Sequence, residues 1–372
     1  MTKPMRRMKC QVESLEDRQL PAVTLSLLDN GTTLSIHGDA SPESLSITQN
    51  DDTDQLMVSW RTISDVPMGV LTPVSTFQSS SIKKIVVDLG GGDDVMNYRL
   101  DGGTMQWSKT INVDLGAGND SAFFDFGGPL IVPLTNGNDP VSGSGSTQSA
   151  DWPQPHPTDL LANLVVNASG GAGNDYIGAI FGNVKKGLTL LETGNGGDDF
   201  LSSSVAGTMG AASPILIDQD GGAGNDQLWT DLGTKGIDAS SKVTVNQRGG
   251  AGSDQLTVNA NLPLLGSLGI SQSGGAGDDT IATRALMDWS STGSLTARIN
   301  GDAGNDSMGL RLKRDDIPPE VNLLVALKKM RITGFVNGGV GHNVSWITPN
   351  VQTFLTQVKQ RSWDMWEVRT TG

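Results

Sequence analysis

Cysteine is almost absent. Cys10 stands alone in 372 residues, so no intrachain disulfide can hold this chain together. Histidine is scarce too: His37, His156 and His342 lie far apart. No HExxH metal spacing, G-x-S-x-G elbow or phosphate-binding loop occurs. Aromatic residues make up 5% of the chain, which suits a thinly cored, turn-rich architecture better than an ordinary enzyme core. No run of 18 apolar residues exists, which excludes a membrane-spanning helix. Base is in deficit, with a net charge of −14. That argues against nucleic acid, whose partners carry basic patches.

Glycine, by contrast, is abundant (48 residues), and it is patterned. The sequence reads GGAGND at 170–175 and 221–226, GGAGSD at 249–254 and GGAGDD at 274–279. Looser copies end at Asp94, Asp120, Asp199 and Asp306. Intervals between the motif aspartates run from 24 to 28 residues, except for 55 between Asp120 and Asp175. A repeat of this period means stacked copies of one unit, none able to bury its apolar face alone. GDASPE (38–43) and GGVGHN (338–343) are degenerate end copies, with Glu43 and Asn343 in place of the aspartate. Atypical terminal repeats are what capping predicts.

The flanks fix the register. Upstream of the motifs stand Ile85, Ile111, Val166, Leu190, Ile217, Val245, Ile270 and Ala297. Two residues after each aspartate stand Met96, Ala122, Ile177, Leu201, Leu228, Leu256, Ile281 and Met308. Alternation of apolar and polar residues around them predicts strands with one buried face. Each unit is therefore strand, turn, strand and a variable link. Two geometries fit: a right-handed parallel β-solenoid with coils of about 26 residues, or hairpin turns giving antiparallel sheets. The all-β solenoid is the expectation, because it alone lines up the aspartates.

The long interval holds Pro129, Pro133, Pro140, Pro153, Pro155 and Pro157. Proline this dense does not sit in a sheet, so roughly 128–158 reads as an insertion, and sites between Asp120 and Asp175 are in doubt. Beyond the repeats, Pro349 and Asn350 precede Val351, Phe354, Leu355 and Val358, a helical spacing that predicts a C-terminal cap. The expected organisation is a disordered basic leader (1–22), a repeat solenoid (23–309) and a capping segment (310–372).

The turn carries the chemistry. Glycine lets the backbone curl and aim carbonyls at one point, and aspartate adds a hard anionic oxygen. Carbonyls with carboxylates are calcium ligands, six to eight oxygens at about 2.3–2.6 Å. One turn supplies too few, so two neighbouring coils would share an ion. The simpler alternative is a turn in which aspartate bonds its own backbone and no metal enters.

These turns resemble the hemolysin-type, or RTX, calcium-binding repeat, whose pattern is G-G-x-G-x-D followed by an apolar residue. The resemblance covers roughly residues 34–347. It implies Ca2+ as cofactor, with carboxylate ligands at Asp94, Asp120, Asp175, Asp199, Asp226, Asp254, Asp279 and Asp306. It implies carbonyl ligands at Gly170, Gly171 and Gly173, Gly221, Gly222 and Gly224, Gly249, Gly250 and Gly252, and Gly274, Gly275 and Gly277. The chain departs from the family in having one motif per coil, so only one edge would bind ions. Separately, VESLEDRQLPA (12–22) resembles the LExR-type leader of exported or surface proteins of planctomycete bacteria, which implies export to the cell surface or medium.

Together these readings imply an exported, calcium-binding structural or adhesive rod whose partners are calcium ions and, beyond them, surface polysaccharide or further copies of itself. The competing class is a calcium-dependent polysaccharide lyase or hydrolase. It would need a carboxylate pair in a cleft or a base such as Arg248, Arg284 or Arg298. Solvated faces explain those arginines more simply, so the expectation is no enzyme. Trp152, in the insertion, is a weak candidate for carbohydrate contact.

Overall fold

The computed structural model describes residues 23–63, 74–127, 158–210, 214–288, 290–314 and 331–349, with two short strands beyond them. The leader, most of the insertion with Trp152 and His156, and most of the expected C-terminal helix lie outside the described residues.

The chain is an all-β parallel solenoid of about seven regular turns, each of about 27 residues. Two long sheets, of 12 and 13 strands, run its length, and a three-stranded sheet lines part of one edge. One coil shows the plan. Lys242–Ala251 lies in the first sheet and runs into the turn at 249–254. Gln255–Leu262 returns in the second sheet. A short link then delivers Ser267–Ala276, which pairs parallel with Lys242–Ala251, Val243 opposite Leu268. Burial alternates along these three strands, as period-two patterning requires. All sixteen apolar flanking residues named above are buried, so the hydrophobic columns are continuous through the stack.

The insertion does not interrupt the ladder. Ser121–Phe126 pairs directly with Tyr176–Phe181, and Lys109–Ala117 with Leu164–Ala172. The described chain runs to Gly127 on one side of this step and from Thr158 on the other. Asp120 and Asp175 therefore stand on neighbouring coils despite the long interval: strand register, not sequence distance, sets which coils touch.

Both ends depart from the repeat. At the start, Thr24–Leu28 runs antiparallel to Thr33–His37. Glu43–Asn50, Gln55–Thr62 and Val74–Gln78 form an antiparallel meander. These hairpins close the first coil by local pairing, so no parallel template strand ends the stack there. At the other end the sequence predicts a helix from Val351 through Val358, of which only Val358 is among the described residues. Val358–Lys359 and Met365–Glu367 extend the two sheets as parallel strands.

The interior changes character along the stack. Near the start it holds Tyr98, Phe124, Phe126 and Phe181, with Phe126 and Phe181 stacked at 5.4 Å. Further on a polar ladder replaces them. Gln272 Nε2 donates to Gln247 Oε1, Gln247 Nε2 to Gln219 Oε1, and Gln219 Nε2 to Glu192 Oε2. Ser203 Oγ also donates to Glu192. Every amide points the same way, with its N–H groups toward Glu192. Beyond Gln272, Ile299 and Val336 restore an apolar column.

Candidate cation-binding edge

All motif turns fall on one edge, and the eight aspartates form one column. Each is almost fully buried, between 0% and 3% exposed. Their Oδ1 atoms build a ladder. Glu43 N–H donates to Asp94 Oδ1 at 2.7 Å, Asp94 N–H to Asp120, Asp120 N–H to Asp175 and Asp175 N–H to Asp199. Asp199, Asp226, Asp254 and Asp279 continue it to Asp306, and Asp306 N–H donates to Asn343 at 2.7 Å. The degenerate end copies thus occupy true positions in the column.

A second ladder lies one residue upstream, on the exposed side. Asn119 N–H donates to Asp93 Oδ1, Asn174 N–H to Asn119, Asp198 N–H to Asn174 and Asn225 N–H to Asp198. Ser253, Asn305 and His342 take part in the same way. It runs in the opposite direction, each side chain receiving from the coil that follows. The sequence signal was there, in the Asn or Asp before most motif aspartates.

The glycines follow from coil contact. Gly171 and Gly173 have φ of +109° and +136°, a region that favours glycine. A β-carbon on either would overlap the carbonyl oxygen of Gly116 or Gly118 in the preceding coil. The carbonyls at the third position are already bonded: Gly173 N–H, for example, donates to Gly196 O.

The second carboxylate oxygen is different. Oδ2 of all eight aspartates, and Oε2 of Glu43, are buried without a hydrogen-bond partner. The last turn shows what this means. Asn343 sits where the aspartates sit, and its Nδ2 donates to Gly338 O at 2.6 Å and lies 3.5 Å from Gly341 O. In an aspartate turn the equivalent atom is an acceptor facing acceptors. Such a group needs a proton or a cation between the oxygens.

Electrostatics point the same way. Burial, reinforced by neighbouring carboxylates, pushes Asp120, Asp199 and Asp279 up to about 7. Asp94, Asp175 and Asp226 rise to about 6, chiefly through burial. Asp254 and Asp306 are raised for the same reason, and Glu43 reaches about 8.

The turns are not all alike. Six aspartate turns begin with glycine: Gly170, Gly194, Gly221, Gly249, Gly274 and Gly301. A β-carbon on any of these would overlap the turn's own Oδ2. For five of them it would also press on the first-position carbonyl of the next coil. The Asp94 and Asp120 turns begin with Leu89 and Leu115, both buried. Among the described residues no group of three or more His, Cys, Asp or Glu is placed to hold a metal. A cation here would therefore take one carboxylate oxygen from a turn and otherwise backbone carbonyls, a hard oxygen set that suits calcium and not zinc.

The other candidates scatter. His37 and His342 lie at opposite ends of the stack. Arg248 bridges Asp218 and Asp220, at 2.9 Å each. Arg284 and Arg298 are exposed.

The chain matches no family model, no curated protein and no solved structure.

Proposed function

We propose that this protein is an exported structural or adhesive rod whose aspartate column binds calcium between successive turns, with ligation by Oδ2 and first-position carbonyls. The observation that carries the reading is the column of buried Oδ2 atoms lacking partners, beside one turn, at Asn343, where an amide meets the same carbonyls. Calcium bound there would neutralise carboxylates that otherwise need protons, and would tie each coil to the next. The six glycine-first turns are the preferred sites, because there Oδ2 packs directly beside the first glycine. Extracellular calcium modules bind at about 10⁻⁴–10⁻³ M, so the rod would stiffen outside the cell and loosen where calcium is scarce. Export rests on the leader-like stretch at 12–22 and on the acidic composition. The reading includes no catalysis.

A second reading has its own support: Oδ1 already has a metal-free role in the ladder, so the column would also hold as a set of protonated turn clamps. Calorimetric titration of the full chain with calcium separates the two. Binding of several ions, reduced by Asp226→Asn, supports the calcium seam; no heat at millimolar calcium leaves the protonated clamp.

A further inference from the structure

The edge opposite the aspartates carries a feature of the other charge. A cavity of about 430 Å³ opens there, between the links of successive coils. Its wall includes Ser240, Lys242, Ser267, Thr292, Ser294 and Arg331, and among the described residues no carboxylate lines it. Four of these residues form one register column. Lys242 pairs with Ser267, Ser267 with Ser294, and Ser294 with Arg331. Lys242 and Arg331 therefore stand three coil steps apart, about 14 Å at the usual strand spacing. Both are exposed, and among the described residues neither joins an ion pair. The acid nearest in sequence, Asp238, sits beside Gly210 of the preceding coil. In a chain of net charge −14, a groove floored by hydroxyls and closed at both ends by cations is a local reversal of sign.

We propose that this groove binds a segment of linear polysaccharide bearing sulfate or carboxylate groups, lying along the stack. Lys242 and Arg331 would each take one anionic group, Arg331 with its planar fork of donors. The serine and threonine hydroxyls between them both donate and accept, which matches sugar hydroxyls. A polynucleotide is the poorer fit: it presents a phosphate at every residue and calls for a continuous basic surface, whereas here two cations are separated by neutral hydroxyls. The groove lies on the edge away from the aspartate column and does not depend on calcium there.

The test uses the full chain in calcium-containing buffer. Probes are dextran sulfate and polygalacturonate, with neutral dextran and a single-stranded oligonucleotide as controls. Expected is binding of one or both anionic glycans, with the sulfated and carboxylated probes showing which group is preferred. The double variant K242Q/R331Q should bind about tenfold or more weakly, while K235Q, outside the groove, should bind as the parent does. Both altered side chains are exposed, and an unchanged circular dichroism spectrum checks that the fold survives. Equal binding of neutral dextran, equal binding of the oligonucleotide, or undiminished binding by the double variant would overturn the proposal. Repeating the titration in chelator separates it from calcium-bridged binding at the turn edge, which alone would vanish.

Discussion

The two edges of the solenoid obey different rules. On the turn edge, two side-chain ladders and a set of close glycine–carbonyl approaches fix almost every position. On the link edge, length is free: ladder-bonded aspartates are separated by 24 residues in one step and by 55 in another. The ladder bond is nevertheless the same length in both cases, 2.8 Å. The difference teaches that coil register is held by the turn and its flanking strands, while the links, although short bridges pair some of them, tolerate unequal lengths. Variation in length gathers in the links rather than in the turns.

Breaking the turn edge should have the largest effect. Gly173→Ala puts a methyl onto the Gly118 carbonyl at a positive φ. A loss of more than about 4 kcal/mol, or failure to fold, is expected in denaturant melts. On the link edge Gly103 has open space around it, and Gly103→Ala should change stability by no more than about 0.5 kcal/mol. Comparable losses from both would erase the contrast between the edges.

The next effect is on pH. The motif aspartates have folded-state values of about 6–7 against about 3.9 in an unfolded chain. Between those values the folded state holds more protons than the unfolded state, so stability falls as pH rises and levels off above about 8. In chelator the melting temperature should therefore drop steadily from pH 5 to pH 8. Calcium should flatten that slope; a slope absent in chelator would mean the carboxylates are solvated.

Asp226→Asn is a smaller and sharper probe. Following Asn343, the amide should keep the Oδ1 ladder bond and supply the missing donor. In chelator at pH 8 the variant should be more stable than the parent by about 1–3 kcal/mol, with less gain from calcium. A variant less stable in chelator would show that Oδ2 is not short of a donor.

The interior repeats this logic more quietly. Gln219 and Gln247 each donate to the carbonyl ten residues ahead, that of Trp229 or Thr257. The matching carbonyl for Glu192 belongs to Ser202, and Glu192 Oε1 has no partner. Burial raises Glu192 to about 7, so the stability linked to its proton is full below about 4.5 and lost as pH rises through 7. Glu192→Gln should complete the ladder, raising the melting temperature at pH 8 by a few degrees with little change at pH 4.5. An equal change at both pH values would uncouple Glu192 from proton binding.

Much of this was legible in the sequence. The interval between Asp175, Asp226, Asp254 and Asp279, with period-two flanks, was enough to foresee strands, buried columns and one aligned edge. The continuity across the insertion was not legible, because linear spacing says nothing of which strands pair. Nor did the spacing around Val358 foresee that Val358–Lys359 and Met365–Glu367 would extend the two sheets. The division of labour within each aspartate also escaped the sequence. A carboxylate has two oxygens, and only the packed structure distinguishes Oδ1, bonded to the next coil, from Oδ2, left alone. The Gln column was hidden for a related reason: polar residues at inward positions break the alternation, and their partners lie a whole coil away.

The most direct test of the calcium seam is thermal unfolding of the full chain at pH 8, in chelator and again at 10 mM calcium. With affinities of about 10⁻⁴–10⁻³ M, each occupied site adds about 1.4–2.7 kcal/mol, so occupation of the six glycine-first turns should raise the melting temperature by about 10–20 degrees. The same melting temperature in both buffers would contradict the seam and leave the aspartates as protonated clamps.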